Sequence, residues 1–421
     1  MRPTVAFLCL ALALGADTAA AEESIFDPST VQGSMSLGAA ASNGVSSWTH
    51  GGFGKSQFGR GVNGSVSAEL VWHPQMTNSL SFVVDTISQA NFARSLDVAE
   101  AYLLYKPIPT SQTRIKARAG LLYIPVSLEH NDAEGEPWLV KDTITPSAIN
   151  TWIGEETKAL GFEGTVEHVF EPVKTSLTLG AFSHNDTSGT LLALRGWAFS
   201  DLVATASSRA PLPPLSDYDS PQAADSQQVA KLDNRLGGYA KLKFSSQLGA
   251  LDFMAYDNHA TPGSGRNGQW GWRTRFYNMG AVVPLNPNLT LSGQVLKGRT
   301  SALLGGLEGY RFDVTFNSAY LKLTEHFGTD TFTERLESFS TNNQPLIPGD
   351  LYYHSGPPDF DETYFENGWA GLGAWKHQLN TNRSILVEVL QIHWKRPYMA
   401  AFELAPVQNS TTLQVAYRLG F

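Results

Sequence analysis

Hydrophobic and polar residues alternate along most of this chain, and the alternation is clearest at its end. One set of alternate positions there is apolar: Leu413, Val415, Tyr417, Leu419 and Phe421. The positions between them are Gln414, Ala416, Arg418 and Gly420. Because successive side chains of a β-strand point to opposite faces, a period of two predicts a strand with one apolar and one polar face.

The same alternation recurs in segments of about ten residues, so the chain is predicted to be all-β with about sixteen strands. The predicted strands are 31–40, 60–72, 79–88, 95–105, 113–124, 157–168, 173–183, 233–245, 249–257, 270–282, 288–297, 310–325, 330–339, 366–377, 383–393 and 410–421. Short turns rich in Pro, Asn and Gly alternate with longer links between them. An even strand number with alternating short and long links predicts a transmembrane antiparallel β-barrel.

The first residues predict an export signal. Arg2 precedes an apolar run from Val5 to Leu14, and Ala19 to Ala21 supply the small residues expected before a cleavage site. This run is shorter than the roughly 20 residues that a helix needs to cross a bilayer. We therefore expect residues 1–21 to be a cleaved signal peptide and residues 22–421 to be a single barrel domain. The only cysteine, Cys9, lies in the signal.

Composition narrows the class of protein. Only 16% of the residues are charged, whereas soluble domains average about 25%. The 22 Phe, 14 Tyr and 10 Trp argue against disorder. The net charge of -9, without any Lys/Arg-rich run, argues against a nucleic-acid partner. No other apolar run approaches eighteen residues, so a membrane span would have to be a closed barrel.

Two long links stand out. The link 125–156, after the fifth strand, is too apolar for a disordered loop. It contains seven acids but only one base, Lys141. Those acids are Glu129, Asp132, Glu134, Glu136, Asp142, Glu155 and Glu156. We expect this link to fold inward as a constriction; the alternative is a loop packed over the outer rim. The Pro-rich link 184–232 is expected to be a long extracellular loop with little fixed structure.

Basic residues fall on the polar faces of several strands. Arg114, Lys116 and Arg118 share one face of the fifth strand. Because Arg or Lys facing lipid at mid-depth costs about 2–4 kcal/mol, this face should point into the lumen. The other candidates for the same basic wall are Lys174, Lys241, Lys243, Arg273 and Arg275. A basic wall facing an acidic loop would favour small polar or charged solutes, although any water-filled barrel has some charged lining.

Two resemblances bear on these patterns. The final amphipathic strand ending in Phe421 resembles the assembly signal of Gram-negative outer-membrane barrels, which implies an outer-membrane location. The run RIKARAGLLYIPVSLEHN and the following TPSAINTWIGEETKALGFEGTV, within 114–166, resemble the segment leading into and out of the inward loop of the phosphate-selective porin O/P family. That resemblance implies a sixteen-stranded homotrimeric porin.

Phosphate selectivity is not expected to carry over, because acids are mixed with the bases on the inward faces. These acids are Glu69, Asp85, Glu100, Glu163, Glu167, Asp252 and Glu388. The expected function is a water-filled outer-membrane channel for passive diffusion of small polar or charged solutes, with the bilayer and lipopolysaccharide as surroundings. The alternatives are a plugged barrel acting as a receptor or adhesin, and a barrel hydrolase, although no H-E-x-x-H or G-x-S-x-G motif is present.

Two further features were interpreted at the barrel ends. Trp72, Trp270, Trp272 and Trp394 lie near predicted strand ends, which suggests membrane-interface girdles or ordinary packing. The acidic stretch 336–375 suggests a solvated negative rim, or a divalent-cation site at Asp359 and Asp361. We prefer the rim and expect no metal and no cofactor.

Overall fold

A computed structural model describes residues 27–89, 96–130, 138, 141–215, 222–303, 311–343 and 365–421. Asp359 and Asp361 therefore lie outside the described residues, as do Asp132, Glu134 and Glu136.

Sixteen antiparallel strands form one closed barrel. In chain order they are β1 (Val31–Ser42), β2 (Gly61–Trp72), β3 (Leu80–Gln89), β4 (Asp97–Tyr105), β5 (Thr113–Tyr123), β6 (Lys158–Phe170), β7 (Val173–Ser183), β8 (Gly237–Ser246), β9 (Gly249–Asp257), β10 (Arg273–Asn286), β11 (Leu289–Leu303), β12 (Arg311–Phe327), β13 (Asp330–Asn343), β14 (Glu366–Asn380), β15 (Arg383–Lys395) and β16 (Val407–Gly420). Each strand pairs with its neighbours in sequence, and β16 pairs with β1, where Tyr417 lies opposite Leu37.

Shorter elements decorate this barrel. In the described ranges, two α-helices, α1 (Ala148–Glu156) and α2 (Thr190–Leu194), lie in the links after β5 and β7. Short 3-10 helices occur there at Pro28–Thr30, Trp48–His50 and Pro397–Phe402. The same ranges contain five short strands: Gln75–Thr77, Arg209–Pro211, Asp225–Gln227, Gly265–Arg266 and Gln269–Trp270. No helix in the described ranges is long and apolar enough to cross a bilayer.

The barrel confirms the predicted strand number and all sixteen predicted strand positions to within a few residues. The termini of the described chain, the short turns and Phe421 lie at one end, which we call the turn end. The longer links lie at the other end, which we call the loop end.

The two faces of the strands also follow the sequence pattern. Apolar residues such as Val66, Phe162 and Leu336 are more than half exposed on the outward face, whereas Glu69 and Glu388 are buried on the inward face. The other inward acids predicted from the alternation take the same side: Asp85, Glu100, Glu163, Glu167 and Asp252. The two-residue period of the strands is therefore sufficient to predict that these acids face inward.

Two interpretations are corrected by the structure. Trp270, Trp272 and Trp394 do not form an interface girdle, since all three are buried, and Trp272 packs on Phe312 with ring centroids 6.2 Å apart. The described residues of the link 184–232 do not have the little fixed structure expected of them, because most of them are buried inside the barrel. The sequence signal for this was its apolar run, TLLALRGWAFSDLVATA, which is unlike a solvated loop.

Candidate functional site

Described residues of two links lie in the lumen, and we name these links the first insert (125–156) and the second insert (184–232). The first insert is held by the barrel wall through its backbone. Glu388 on β15 accepts hydrogen bonds from the amides of Ile144 (2.7 Å) and Thr145 (3.1 Å). On β2, Glu69 accepts one from the amide of Trp138 at 2.7 Å. Buried carboxylates on the wall thus satisfy loop amides that would otherwise be left without a partner, which is costly in a buried site.

Helix α1 begins within this anchored segment. Ser147 caps the helix, its hydroxyl accepting from the amide of Asn150 at 3.2 Å. Glu337 on β13 accepts from the amide of Ala148 at 2.9 Å and also pairs with Arg335 at 2.8 Å. A carboxylate at a helix N-terminus is favoured by the helix dipole and by its unpaired amides. The wall therefore fixes both the position and the direction of α1.

The acid that opens the first insert, Glu129, does not face the basic wall on β5. Its carboxylate lies 3.3 Å from Arg335 and 3.4 Å from Lys322, on β13 and β12, and accepts from the amide of Ser147 at 2.6 Å. Burial alone would raise the pKa of Glu129, but Lys322, Arg335 and the Ser147 amide outweigh it, so that its pKa is lowered. Glu129 is thus a charged anchor on the opposite side of the barrel.

The second insert crosses the lumen nearer the loop end. On one side, the Trp197 ring nitrogen donates to the carbonyl of Ser340 on β13 at 3.0 Å, and its backbone amide donates to Glu366 on β14 at 3.0 Å. On the other side, the Tyr123 hydroxyl at the end of β5 donates to the carbonyl of Ala204 at 2.7 Å. A segment tied to both β13 and β5 spans the barrel interior.

Buried charges lock the two inserts together. Glu155 of α1 pairs with Arg195 of the second insert at 2.5 Å and accepts from the Ser200 hydroxyl at 2.7 Å. Burial raises the pKa of Glu155, against the opposing effect of Arg195. The neighbouring Glu156 accepts from the amide of Leu191 at 2.9 Å, and burial raises its pKa to about 7.

A second charged group fixes the insert to the loop end. Lys55, in the link after β1, pairs with Glu366 and donates to the carbonyl of Arg195 at 3.0 Å. Arg396 lies 3.3 Å from the same Glu366. Burial lowers the pKa of Lys55 to about 7, although Glu366 acts in the opposite direction. Each charge has an opposite charge in contact, as a buried ion needs.

Beside the inserts, against β4 to β8, lies a chamber of about 450 Å³. It extends from the turn between β4 and β5, with Pro107 and Pro109, up to Tyr123 at the end of β5 and to Pro125 and His130 of the first insert. Among the described residues, seven basic side chains line it: Lys106, Arg114, Lys116, Arg118, Lys174, Lys241 and Lys243. Three acids of the described residues line it as well: Glu100, Glu163 and Glu167. The chamber reaches the β4–β5 turn at the turn end, and its described lining has a positive balance of charge.

The acids of the chamber position some of its bases. Arg118 makes two parallel hydrogen bonds with Glu163, both 2.9 Å, and Tyr239 donates to the same carboxylate at 2.6 Å. Lys174 lies 3.1 Å from Glu167. Bidentate pairing fixes the plane of the guanidinium and removes most of its net charge from the chamber. Lys241 also lies 3.5 Å from Asp252, so Arg118, Lys174 and Lys241 each have an acid beside them.

The structure brings together six of the predicted pore-lining residues in this chamber: Arg114, Lys116, Arg118, Lys174, Lys241 and Lys243. The described acids of the first insert do not face these bases. Glu129, Glu155 and Glu156 are buried in the contacts above, Asp142 lies 3.8 Å from Lys376 on β14, and Lys141 is exposed, its carbonyl accepting from Lys376.

Arg273 and Arg275 do not line the lumen, so their assignment to the basic wall is corrected. They alternate with the inward Thr274 and Phe276 and share the outward face with Tyr277, which is 75% exposed. The predicted strand starts at residue 270, whereas β10 starts at Arg273, and Trp270 and Trp272 belong to the preceding link. The alternation of inward and outward residues therefore cannot be extended from these two Trp into β10.

Some residues of the interior were not predicted. Arg335 and Lys322 anchor the first insert, and Lys106 lines the chamber. A signal was present for Arg335, because Thr333, Arg335 and Glu337 alternate with the apolar Phe332 and Leu336. In the described part of the chain, no group of His, Cys, Asp and Glu is arranged to hold a metal ion.

Comparison with known proteins places the chain by its fold. Neither the family models nor the curated proteins gave a match. Among solved structures, it resembles the outer membrane channel DcaP of Acinetobacter baumannii, with a TM-score of 0.53, 8% identity, and coverage of 93% of this chain and 96% of that chain. It also resembles OmpT, an outer membrane protein of Vibrio cholerae (TM-score 0.48, 6% identity, 93% and 97% coverage), and the anion-selective porin from Comamonas acidovorans (TM-score 0.47, 11% identity, 93% and 99% coverage). The chain thus has the barrel fold of an outer-membrane channel.

Proposed function

We propose that this protein is an outer-membrane porin that lets small polar solutes, preferentially anions, diffuse passively through its lumen. The observation that carries this proposal is the chamber, in which seven Lys and Arg side chains face three Glu. A lumen lined by one sign of charge between low-dielectric walls raises the local concentration of counter-ions. The turn end faces the periplasm and the loop end faces the outside, as in bacterial barrels of this kind.

The chamber suits a weakly selective channel rather than a phosphate-specific one. Glu163 neutralises much of the charge of Arg118, and Glu167 lies beside Lys174. The bases therefore do not form a continuous row of unneutralised positive charge. The volume of about 450 Å³ accommodates a hydrated small organic ion. The two inserts narrow the route beyond it, so the conductance per barrel is low. The resemblance of residues 114–166 to the phosphate-selective porins supports a homotrimer.

Reconstitution of the purified protein into a planar bilayer tests this function. We expect stable conductance steps, grouped in threes for a homotrimer, because a water-filled lumen passes ions continuously once inserted. The matched control is the same protein unfolded by heat before addition, which should give no steps. Complete silence from correctly folded barrels, whether or not a ligand or hydrolase activity is then found, would contradict the channel and favour a plugged receptor or a barrel enzyme.

A further inference from the structure

A cluster of basic side chains lies on the outward face of the barrel, where the lumen cannot explain it. Arg273 and Arg275 on β10 and Lys297 and Arg299 on β11 all point away from the interior. Arg275 lies directly opposite Arg299, and Lys297 lies opposite Tyr277. Arg273 pairs with Asp257 at 3.0 Å, and Arg299 pairs with Asp313. Within the described part of the chain, neither Arg275 nor Lys297 forms an ion pair, and both are exposed.

The height of this cluster marks the edge of the membrane. Below it, toward the turn end, the outward residues of β8 to β11, all of which the structure describes, include no charged side chain. The ten residue-to-residue steps from Arg275 to Leu285, in a strand tilted by about 45°, rise about 24 Å, close to the roughly 25 Å apolar band of such barrels. The basic cluster therefore lies at the level of the headgroups at the loop end, where charge costs little.

Directly below the cluster is an apolar depression of about 500 Å³. Small side chains form its floor, where Ala240 on β8 lies opposite Ala255 on β9. Larger apolar side chains surround this floor: Leu177, Leu242, Phe253, Tyr277, Met279 and Val295. Lys297 lies at its edge. The basic side chains thus lie on the loop-end side of an apolar depression with a floor of small residues. This arrangement is complementary to an amphipathic molecule whose anionic head points toward the loop end.

We propose that this face is a specific binding site for lipopolysaccharide: Arg275 and Lys297 bind a phosphate of its lipid A, and the depression holds an acyl chain. The charge complementarity selects the occupant, because Arg and Lys form strong charge-assisted hydrogen bonds with phosphate. An acyl chain in the depression covers apolar surface that straight bulk-lipid chains cannot fill closely. This site rests on the proposed outer-membrane location but not on conduction through the lumen.

The test measures lipid A binding to the full-length protein in detergent by native mass spectrometry. Bisphosphorylated lipid A and its dephosphorylated form are the two probes. We expect wild type to bind the phosphorylated form at least about tenfold more tightly, and the double variant Arg275→Gln/Lys297→Gln to lose that preference. Lys395→Gln, which changes an exposed base at the loop end of β15, is the matched control and should bind as wild type.

A separate variant tests the apolar part. Ala255→Trp fills the floor of the depression and should weaken the binding of both forms of lipid A. The Gln double variant should weaken only the binding of the phosphorylated form. Equal binding of the two forms by wild type, or unchanged binding by the double variant, would overturn the site. Conductance of the double variant should equal that of wild type, because these side chains lie outside the lumen. A lipid preference without any conductance would leave this site standing and remove only the channel proposal.

Discussion

Removing the lumen part of the second insert should raise single-channel conductance by a factor on the order of three. In this variant, residues 187–231 are replaced by a short Gly-Ser linker. The ends can be joined because β7 and β8 are paired neighbours, with Phe182 opposite Gly237. The deleted segment spans the interior from β13 to β5 through Trp197 and Ala204, so its loss removes a segment that crosses the lumen. Planar-bilayer recording measures the effect.

The control shortens the same connection but keeps the segment that crosses the lumen through Trp197 and Ala204. Deleting residues 216–221 alone should therefore leave the conductance at the wild-type value. Heat-modified mobility on gels shows whether each barrel has folded, because the strands themselves are unchanged. If the large deletion folds and its conductance stays at the wild-type value, the second insert does not limit the ion path.

Reversing three charges in the chamber should change the channel from anion-preferring to cation-preferring. In the variant Lys116→Glu/Lys174→Glu/Lys243→Glu, the lining would have four bases and six acids instead of seven and three. Local ion concentration follows the sign of the lining charge, so the reversal potential under a KCl gradient should change sign. Arg118 is left unchanged, because its bidentate pair with Glu163 supports the wall.

The matched control reverses three exposed bases that lie outside the chamber. Arg235→Glu/Arg266→Glu/Lys395→Glu makes the same change in net charge at the loop end. We expect its reversal potential to keep the wild-type sign, since these bases do not line the chamber and salt screens exposed charges over a Debye length of about 10 Å at 0.1 M. Equal shifts in both triple variants would mean that overall charge, rather than the chamber, sets the selectivity.

Much of the barrel could be predicted because a strand in a membrane has a strict chemical constraint. Outward residues face lipid and inward residues face water or polar groups, so alternation fixed both the strand positions and the inward side of Glu69 or Lys116. Where a strand meets an aromatic-rich link the phase is lost. Arg273 and Arg275 follow Trp270 and Trp272, and they were placed on the wrong side for this reason.

The interior was harder to predict, because its contacts join residues far apart in sequence. Glu129 was expected to face Arg114 and Lys116, but the barrel brings it to Arg335 and Lys322 instead. Which wall a loop meets depends on where the loop crosses the lumen, and local periodicity holds no information about that. The second insert has two conflicting signals. Its Pro-rich part, 211–221, is typical of a surface loop, whereas the apolar run before it is typical of a buried segment.

The most direct test of the central claim is the reversal potential of the wild-type protein in a planar bilayer with a KCl gradient. A lumen whose chamber has seven bases and three acids should give a potential of the sign that corresponds to chloride preference. High salt should weaken this preference, because screening shortens the reach of the lysine charges. A potential of the sign that corresponds to potassium preference, or a potential of zero, would contradict the assignment of the basic chamber as the ion path.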